Sequence, residues 1–470
     1  MGGRVEVEDL SAQRGGKEVL KDVSFSLSSG SLTVLLGKNG SGKTTLLKVL
    51  AGEKEKSGGK VEIPSALSCA FVPQDPASSM LGGSLREEME TWGAGDLEVF
   101  DVLAFLGISH LLDEPFSTLS AGQMEICALA AALSRRPGLV LLDEPLSALD
   151  PVSRRRAASL ISSLNRDLGI SFLIAEHNLE PLLPFGPQVV ALKEGRVCAE
   201  GGAREVLEKL WKEGEGEIIP DFQKLYLSRG LPVPLSVGEG EKISFSPSPM
   251  PSKKEPALGE KALSCSNLAF AWPKSSSLDI SELSFEAFFG ESLAVVGENG
   301  SGKSTLLRLL AGLLRPRFGR IWRRDRKGGC FFLPQDPRPL LALKEGESFG
   351  KEEFLTGSRG EMQREADLLA LKSEKKVILL DEPTSGLDEE AREEVGEGIL
   401  RRAEEGALVV FSTHDPAFCA AFSDRTLCLL KGKKAFLGGS RELVSRLAFF
   451  TTPFCRAFPN KNVLTLKDCA

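Results

Sequence analysis

A chain of 470 residues, 42% apolar and 26% charged, has an ordinary globular composition and the length of two or more domains. Its net charge of −7 gives no electrostatic footprint for nucleic acid. No stretch reaches the roughly 18 unbroken apolar residues of a membrane span, and the N-terminal Met-Gly-Gly-Arg-Val-Glu lacks the apolar core of a signal peptide. Glu6 stands where N-terminal acylation requires Ser or Thr. The nine cysteines form no C-x-x-C pair, so neither a zinc site nor a disulfide framework is expected; they read as buried, reduced thiols.

Residues 4–36 alternate polar and apolar positions (Val5, Val7; Val23, Phe25, Leu27), which predicts antiparallel strands. An apolar strand, Leu32–Leu36, then runs into Gly37-Lys-Asn39-Gly40-Ser-Gly42-Lys43-Thr44, and a helix-forming run follows. This fits G-x-x-x-x-G-K-[ST] in its required strand–loop–helix setting. Glycines let the backbone approach phosphates, and several N–H groups converge on one anion at a helix N-terminus. The lysine then reaches the β- and γ-phosphates and the hydroxyl sits on Mg²⁺.

Next comes Phe71-Val-Pro-Gln74-Asp-Pro76, where Pro stops a strand and an amide can donate and accept, in the manner of a hinge. Residues 85–112 are helical by pattern (Leu97, Phe100, Leu103, Leu106), and Leu119-Ser120-Ala-Gly122-Gln123 opens a second helix. Leu139-Val-Leu-Leu-Asp143-Glu144 reads as a buried strand ending in two carboxylates, Ser147-Ala-Leu-Asp150 as a tight turn, and Phe172-Leu-Ile-Ala-Glu-His177 as a further strand.

The same series then returns. Gly297-Glu-Asn299-Gly300-Ser-Gly302-Lys303-Ser304 lies 260 residues on, lysine to lysine, and is followed by Phe332-Leu-Pro-Gln335-Asp-Pro337. Val377-Ile-Leu-Leu-Asp381-Glu382, Ser385-Gly-Leu-Asp388 and Val409-Val-Phe-Ser-Thr-His414 complete it. Two of the chain's three histidines thus fall 34 and 33 residues after matching aspartates. Between the series, Pro220, Pro232, Pro234, Pro247, Pro249, Pro251 and Pro256 mark a partly extended linker. The expected division is 1–212, linker 213–262, 263–446, and a tail 447–470 with no readable periodicity.

In this order, phosphate loop, Gln, Leu-Ser-x-Gly-Gln, Asp-Glu, Ser-x-Leu-Asp and His, both halves resemble the nucleotide-binding domain of ABC ATPases. The resemblance implies an α/β fold: two tandem P-loop NTPase domains, each with an antiparallel β subdomain and a helical subdomain. It implies ATP and Mg²⁺, the ion held by Thr44, Asp143 and Gln74 in the first repeat and by Ser304, Asp381 and Gln335 in the second. Glu144 and Glu382 would polarise the attacking water, and His177 and His414 would contact the γ-phosphate. In this family domains meet head to tail, so that the Ser120–Gly122 signature of one repeat completes the site of the other.

A narrower resemblance rests on Gln-Asp-Pro, Ala175-Glu-His-Asn-Leu179 and Leu231-Pro-Val-Pro-Leu235, which look like fused ATPase subunits of energy-coupling-factor importers of vitamins and transition metals. It implies a transmembrane coupling protein and a substrate-binding membrane component as partners, a peripheral place on the cytoplasmic face of the membrane, and no nucleic acid. The alternative is a soluble twin-ABC ATPase acting on the ribosome; its charged helical linker is not matched by the Pro-broken stretch here. A DNA-repair ATPase would need zinc modules or coiled-coil heptads, which the sequence lacks.

The repeats are unequal. Counting back from Asp381 as from Asp143, the second signature is Gly357-Ser358-Arg359-Gly-Glu361, with Arg where the first has Ala121. The family stacks an aromatic ring on adenine; Trp272 stands at that place in the second repeat and Arg14 in the first. From Gln74 to Ser120 is 46 residues but from Gln335 to Ser358 only 23, so the second helical subdomain is expected to be shortened.

Overall fold

The computed structural model describes residues 3–470 except 66, 148, 244, 246, 248–258, 274–277, 325–328, 338–358, 449, 460, 462 and 470. The chain divides into two compact units, Met1–Gly240 and Glu241–Ala470.

The first unit opens with β1 (Val5–Arg14) and β2 (Lys17–Leu27), an antiparallel pair. Then come β3 (Leu32–Leu36), α1 (Lys43–Leu50), β4 (Gly58–Glu62), β5 (Cys69–Val72), α2 (Leu85–Thr91), α3 (Asp96–Leu106) and α4 (Ala121–Ser134). They are followed by β6 (Leu139–Asp143), α5 (Pro151–Leu168), β7 (Ser171–Glu176), β8 (Gln188–Lys193), β9 (Arg196–Gly202) and α6 (Ala203–Lys212). The strands form a three-stranded sheet, β2-β1-β4, and a six-stranded sheet, β5-β6-β7-β3-β8-β9. In the larger sheet β5 to β8 pair in parallel and only β9 runs the other way. Every residue of β3, β6 and β7 is buried, as expected of parallel strands covered on both faces.

The antiparallel alternation expected over residues 4–36 is present, interrupted by register shifts. The run 85–112 breaks into α2 and α3, with Gly93 in the left-handed region between them. On α3 only Leu103 is fully buried, while Leu97 and Phe100 are 77% and 70% exposed. Apolar periodicity located the helix but not the face it turns to the core.

The linker reading also changes. After α6 the chain forms α7 (Asp221–Ser228) and α8 (Val237–Lys242), and Ile219 and Val233 enter the main core of the first unit. Phe222 and Tyr226 are buried edge to face, ring centroids 5.3 Å apart. A Cβ on Gly240 would meet the Tyr226 hydroxyl at 2.7 Å and Phe222 Cζ at 2.8 Å. Prolines here bend a packed segment and do not extend a free one. Of the remaining linker residues most lie outside the described set.

The second unit repeats the plan: β10 (Lys261–Phe270), β11 (Ile280–Phe288), β12 (Ser292–Val296), α9 (Lys303–Ala311), β13 (Phe318–Arg323), β14 (Phe331–Leu333), β15 (Val377–Leu380), β16 (Leu408–Ser412), β17 (Arg425–Leu430) and β18 (Lys433–Gly439). Its sheets have the orders β11-β10-β13 and β14-β15-β16-β12-β17-β18. The interval expected to hold a shortened helical subdomain lies outside the described residues up to 358, after which a helix spans Arg359–Leu371. The tail is folded: Thr452 caps a short helix, Pro453–Ala457, and Phe454, Phe458, Val463 and Leu464 are buried. Of the nine cysteines, all free, Cys127, Cys265 and Cys419 are buried and the other six are only partly so, against the expectation that all would be buried. No helix among the described residues is long and apolar enough to cross a membrane.

Replacing Phe222 by Ala should lower the stability of the first unit by about 3–5 kcal/mol, the cost of truncating a buried aromatic. Chemical denaturation reads this directly; an unchanged midpoint would mean that residues 219–233 are a loose connector after all.

Candidate functional site

In a parallel sheet the carboxyl ends of strands that flank a change in chain direction collect ligands. In the first unit, Gly37 follows β3, Gln74 follows β5, Glu144 follows β6 and His177 follows β7, four ends of one sheet. In the second unit, Gly297 follows β12, Glu382 follows β15 and His414 follows β16.

Both phosphate loops close in the same way. Gly42 and Gly302, with φ of 105° and 99°, cap α1 and α9 in the left-handed region. A Cβ there would strike Leu20 at 2.7 Å in one loop and Asp279 O at 2.7 Å in the other, so conformation and space both demand glycine. Lys43 Nζ donates to Gly37 O (2.7 Å) and Lys38 O (3.0 Å); Lys303 Nζ donates to Gly297 O (3.0 Å) and Glu298 O (3.3 Å). Each ammonium also lies near the neighbouring glutamate, 4.0 Å from Glu144 and 3.8 Å from Glu382. The hydroxyls of Ser41 and Ser301 are buried without a hydrogen-bond partner among the described residues. Orphaned donors beside a lysine, at a helix N-terminus, suit a polyphosphate. Gly40 and Gly300 supply further left-handed turns, while Asn39 is half-buried and Asn299 exposed.

A hydroxyl and an aspartate meet next to each loop. Thr44 Oγ1 donates to Asp143 Oδ1 at 3.2 Å, and Ser304 Oγ to Asp381 Oδ1 at 3.0 Å. Ser412 Oγ also donates to Asp381 Oδ1 (2.8 Å), leaving Asp381 Oδ2 buried with no partner among the described residues. Burial pushes both aspartates above the usual carboxylate range, against the hydroxyl bonds that pull them down. Oxygen donors with an unused, buried carboxylate lone pair fit a magnesium ion.

Glu144 and Glu382 adopt φ of 51° and 53°, a region that non-glycine residues enter at a cost of about 1–2 kcal/mol. The strain appears in both repeats at the same motif position. It is held by Glu144 N on Ala175 O (3.0 Å) with Ser147 Oγ on Glu144 O (2.9 Å), and by Glu382 N on Ser412 Oγ (2.7 Å).

The carboxylates of these glutamates are held differently. Gln74 Nε2 donates to Glu144 Oε2 at 2.9 Å, with His177 Nδ1 3.8 Å from the same oxygen. In the second unit His414 Nδ1 is 2.8 Å from Glu382 Oε2, and Gln335 is exposed with no described hydrogen bond to either carboxylate. Burial raises the Glu382 carboxyl, but His414 and Lys303 outweigh it and hold the group below its ordinary range. Gln74 thus gives its amide to Glu144, while Gln335 stands exposed just past β14.

Ser120 caps α4 in a reciprocal box, accepting from Gln123 N (3.3 Å) while Gln123 Oε1 accepts from Ser120 N (2.9 Å). A Cβ on Gly122 would press Leu149 at 3.3 Å. Gly357 and Ser358 lie outside the described residues. Trp272 Nε1 donates to Thr305 Oγ1 at 3.4 Å, one residue beyond Ser304, so its ring stands beside the phosphate-loop helix. Arg14 ends β1, where its charge, with that of Lys48 and after burial, lowers Lys54.

One residue carries weight that the motifs did not announce. Glu176, buried at the end of β7, accepts from Leu146 N at 3.1 Å, and Arg154 donates to Leu146 O (3.1 Å) and Leu149 O (3.2 Å). Together they fix the turn after Glu144. The signal was a carboxylate in an apolar strand where the second repeat has Thr413.

The ABC transporter family profile matches residues 20–147 and 280–344. An ABC transporter ATP-binding protein of Bacillus thuringiensis subsp. konkukian is 30% identical over 93% of this chain and 92% of its own. A Bacillus subtilis protein named for HMP/thiamine import ATP binding is 30% identical over 94% and 92%. Among solved structures, the archaeal ribosome recycling factor, in complex with a ribosomal stalk protein, aligns with a TM-score of 0.63 over 93% of this chain and 91% of its own. At 22% identity that likeness speaks for the fold.

Burial, then the charge of Glu144, pushes the Glu176 carboxyl up from 4.5 to about 8. The folded state holds this proton more tightly than the unfolded chain, so the stabilisation is complete below about 4.5 and is lost as pH rises through about 8. Glu176→Gln keeps the acceptor for Leu146 N and removes the proton. Urea denaturation of the variant should show a flatter decline of stability between those pH values than the parent; parallel curves would disprove the assignment.

Proposed function

Because the chain belongs to the ATP-binding proteins of ABC transporters and is an ATPase with two fused ABC domains, we propose that it powers a membrane importer of the energy-coupling-factor type, for a vitamin or transition metal. The observation that carries the ATP-driven part is the doubled cluster of lysine, Ser/Thr–Asp pair, strained glutamate and histidine at the strand ends. The importer part is supported by the relative named for HMP/thiamine import. It is also supported by apolar side chains left exposed on the helical part of the first unit, Leu81, Leu97 and Phe100 at 72%, 77% and 70%. A partner's apolar helix would bury them at about 25 cal/mol per Å². We place the protein on the cytoplasmic face of the membrane, gripping a transmembrane coupling protein beside a substrate-binding membrane component.

In this reading Lys43 and Lys303 exchange loop carbonyls for β- and γ-phosphate oxygens. Magnesium, held by Thr44 with Asp143 and by Ser304 with Asp381, would supply neutralisation of the charge that develops on the phosphates. Glu144 and Glu382 orient and polarise the attacking water, and His177 and His414 face the γ-phosphate. His414 and Lys303 keep Glu382 ionised, the form a water-polarising group needs. Glu144 has the corresponding Lys43 at 4.0 Å and His177 at 3.8 Å, and takes the Gln74 amide in addition. With each nucleotide shared between the loop of one repeat and the signature of the other, the first loop combines Arg14 with the Arg359-bearing signature. The second combines Trp272 with Ser120–Gly122. One strong and one weak composite site follow.

Glu382→Gln should therefore abolish nearly all ATP hydrolysis, and Glu144→Gln should leave a substantial fraction; equal losses in a purified complex would refute the asymmetry. Affinity purification from detergent-solubilised membranes tests the importer reading. A polytopic membrane protein is the expected companion, and ribosomes in its place would move the function to the twin-ATPase alternative.

A further inference from the structure

The edge of the small sheet in the second unit has a composition that its counterpart lacks. Among the described residues β13 pairs with β10 on one side only, in the order β11-β10-β13. Along it and just beyond, Phe318, Arg320, Trp322 and Arg324 are all exposed, Phe318 by 66% and Trp322 by 40%. Arg320, Trp322 and Arg324 fall on one face by the period of two, roughly 7 Å apart. The alternate residues turn inward: Ile321 packs on the core, and Arg323 donates to Cys330 Sγ at 3.4 Å. Arg315 and Arg317 precede the strand and are exposed as well. Arg324 pairs with Glu260 (3.0 Å).

The same place in the first unit is β4, where Lys60 and Glu62 neutralise each other in an ion pair and no aromatic residue stands. Charged residues alone would be ordinary protection of a sheet edge against pairing. Exposed Phe and Trp work against such protection, so protection does not account for the pattern.

We propose that this strand face is a peripheral membrane contact that binds anionic phospholipid headgroups, with the arginines on phosphates and Trp322 and Phe318 seated at the headgroup level. Arginine and aromatic residues side by side suit an interface that is anionic outside and apolar beneath. Single-stranded RNA is the competing occupant, since bases stack on aromatic rings and arginines meet phosphates. The lipid reading is favoured because the basic patch is local, on a chain of net charge −7, whereas nucleic-acid binders present a broad basic footprint. Membership in the ABC transporter ATP-binding proteins points the same way. The contact is a property of this chain alone and does not depend on which membrane protein the importer reading supplies.

Flotation of the purified full chain with protein-free vesicles tests it, comparing pure phosphatidylcholine with phosphatidylcholine carrying phosphatidylglycerol. Binding is expected to the anionic vesicles, to fall with added salt, and to weaken at least about tenfold in Arg320→Glu/Trp322→Glu. The ATPase rate of the double variant should match the parent, reporting an intact fold. Arg320→Gln with Trp322→Ser provides a milder pair with the same expected direction. Equal binding to both vesicle types, no binding to either, or binding unchanged in both variant pairs overturns the proposal. Retention of a single-stranded RNA oligomer without vesicle binding overturns it in favour of nucleic acid.

Discussion

The hydroxyl–carboxylate bond between the phosphate-loop helix and the Asp-Glu strand is the contact on which the rest of each unit depends. Thr44 reaches Asp143, and Ser304 reaches Asp381, at 3.2 and 3.0 Å. The helix that carries the hydroxyl follows β3 or β12, and the aspartate stands at the end of β6 or β15; these strands are not neighbours, since β7 lies between β3 and β6, and β16 between β12 and β15. The bond therefore forms only if three parallel strands end level with one another. These strands are wholly buried and predominantly apolar. Their register is fixed by burial on both faces, and the carboxylates stand where the strands stop. The glutamate that follows must then turn at once toward the loop, and it does so through a left-handed backbone in both repeats.

Around that shared frame the two units solve one electrostatic problem differently. A buried glutamate needs a donor for its outward oxygen. The first unit uses the amide of Gln74, and the second uses the ring of His414. An amide is neutral, whereas an imidazole beside a carboxylate can carry charge. The turn after the glutamate is also tied differently. Glu176 and Arg154 bind its backbone in the first unit, while Ser412 receives Glu382 N and donates to Asp381 in the second.

Much of this was legible in the sequence, for a physical reason. Phosphate binding needs glycine, lysine and hydroxyl at fixed spacing, and buried parallel strands need unbroken apolar runs, so both leave periodic marks. Pairing between distant side chains leaves none. Nothing in the spacing told that Gln74 would bond Glu144 while Gln335 would stand exposed. Proline counting misread residues 219–233, because Phe222, Tyr226 and Val233 pack against the core from a segment too short to show a period. The exposed face of α3 failed for the opposite reason. An apolar stripe meant for a partner and one meant for the core have the same periodicity, and only burial separates Leu97 and Phe100 from Leu103.

The same logic separates the two edge strands. β4 and β13 hold equivalent places in their sheets, so the fold imposes the same demands on both: a short strand, a glycine in the left-handed region (Gly59 and Gly319) and an edge that resists pairing. β4 meets them with a self-neutralising Lys60–Glu62 pair. Whatever β13 carries beyond that is not required by the fold. Two exposed aromatic rings cost solvation and invite aggregation, and Arg320 adds positive charge on the same face, where Arg324 is paired with Glu260. The excess of one repeat over its twin is a control contained in the chain itself. Here it isolates a feature that the sheet itself does not require, and the proposed contact with anionic lipid is an explanation of that kind.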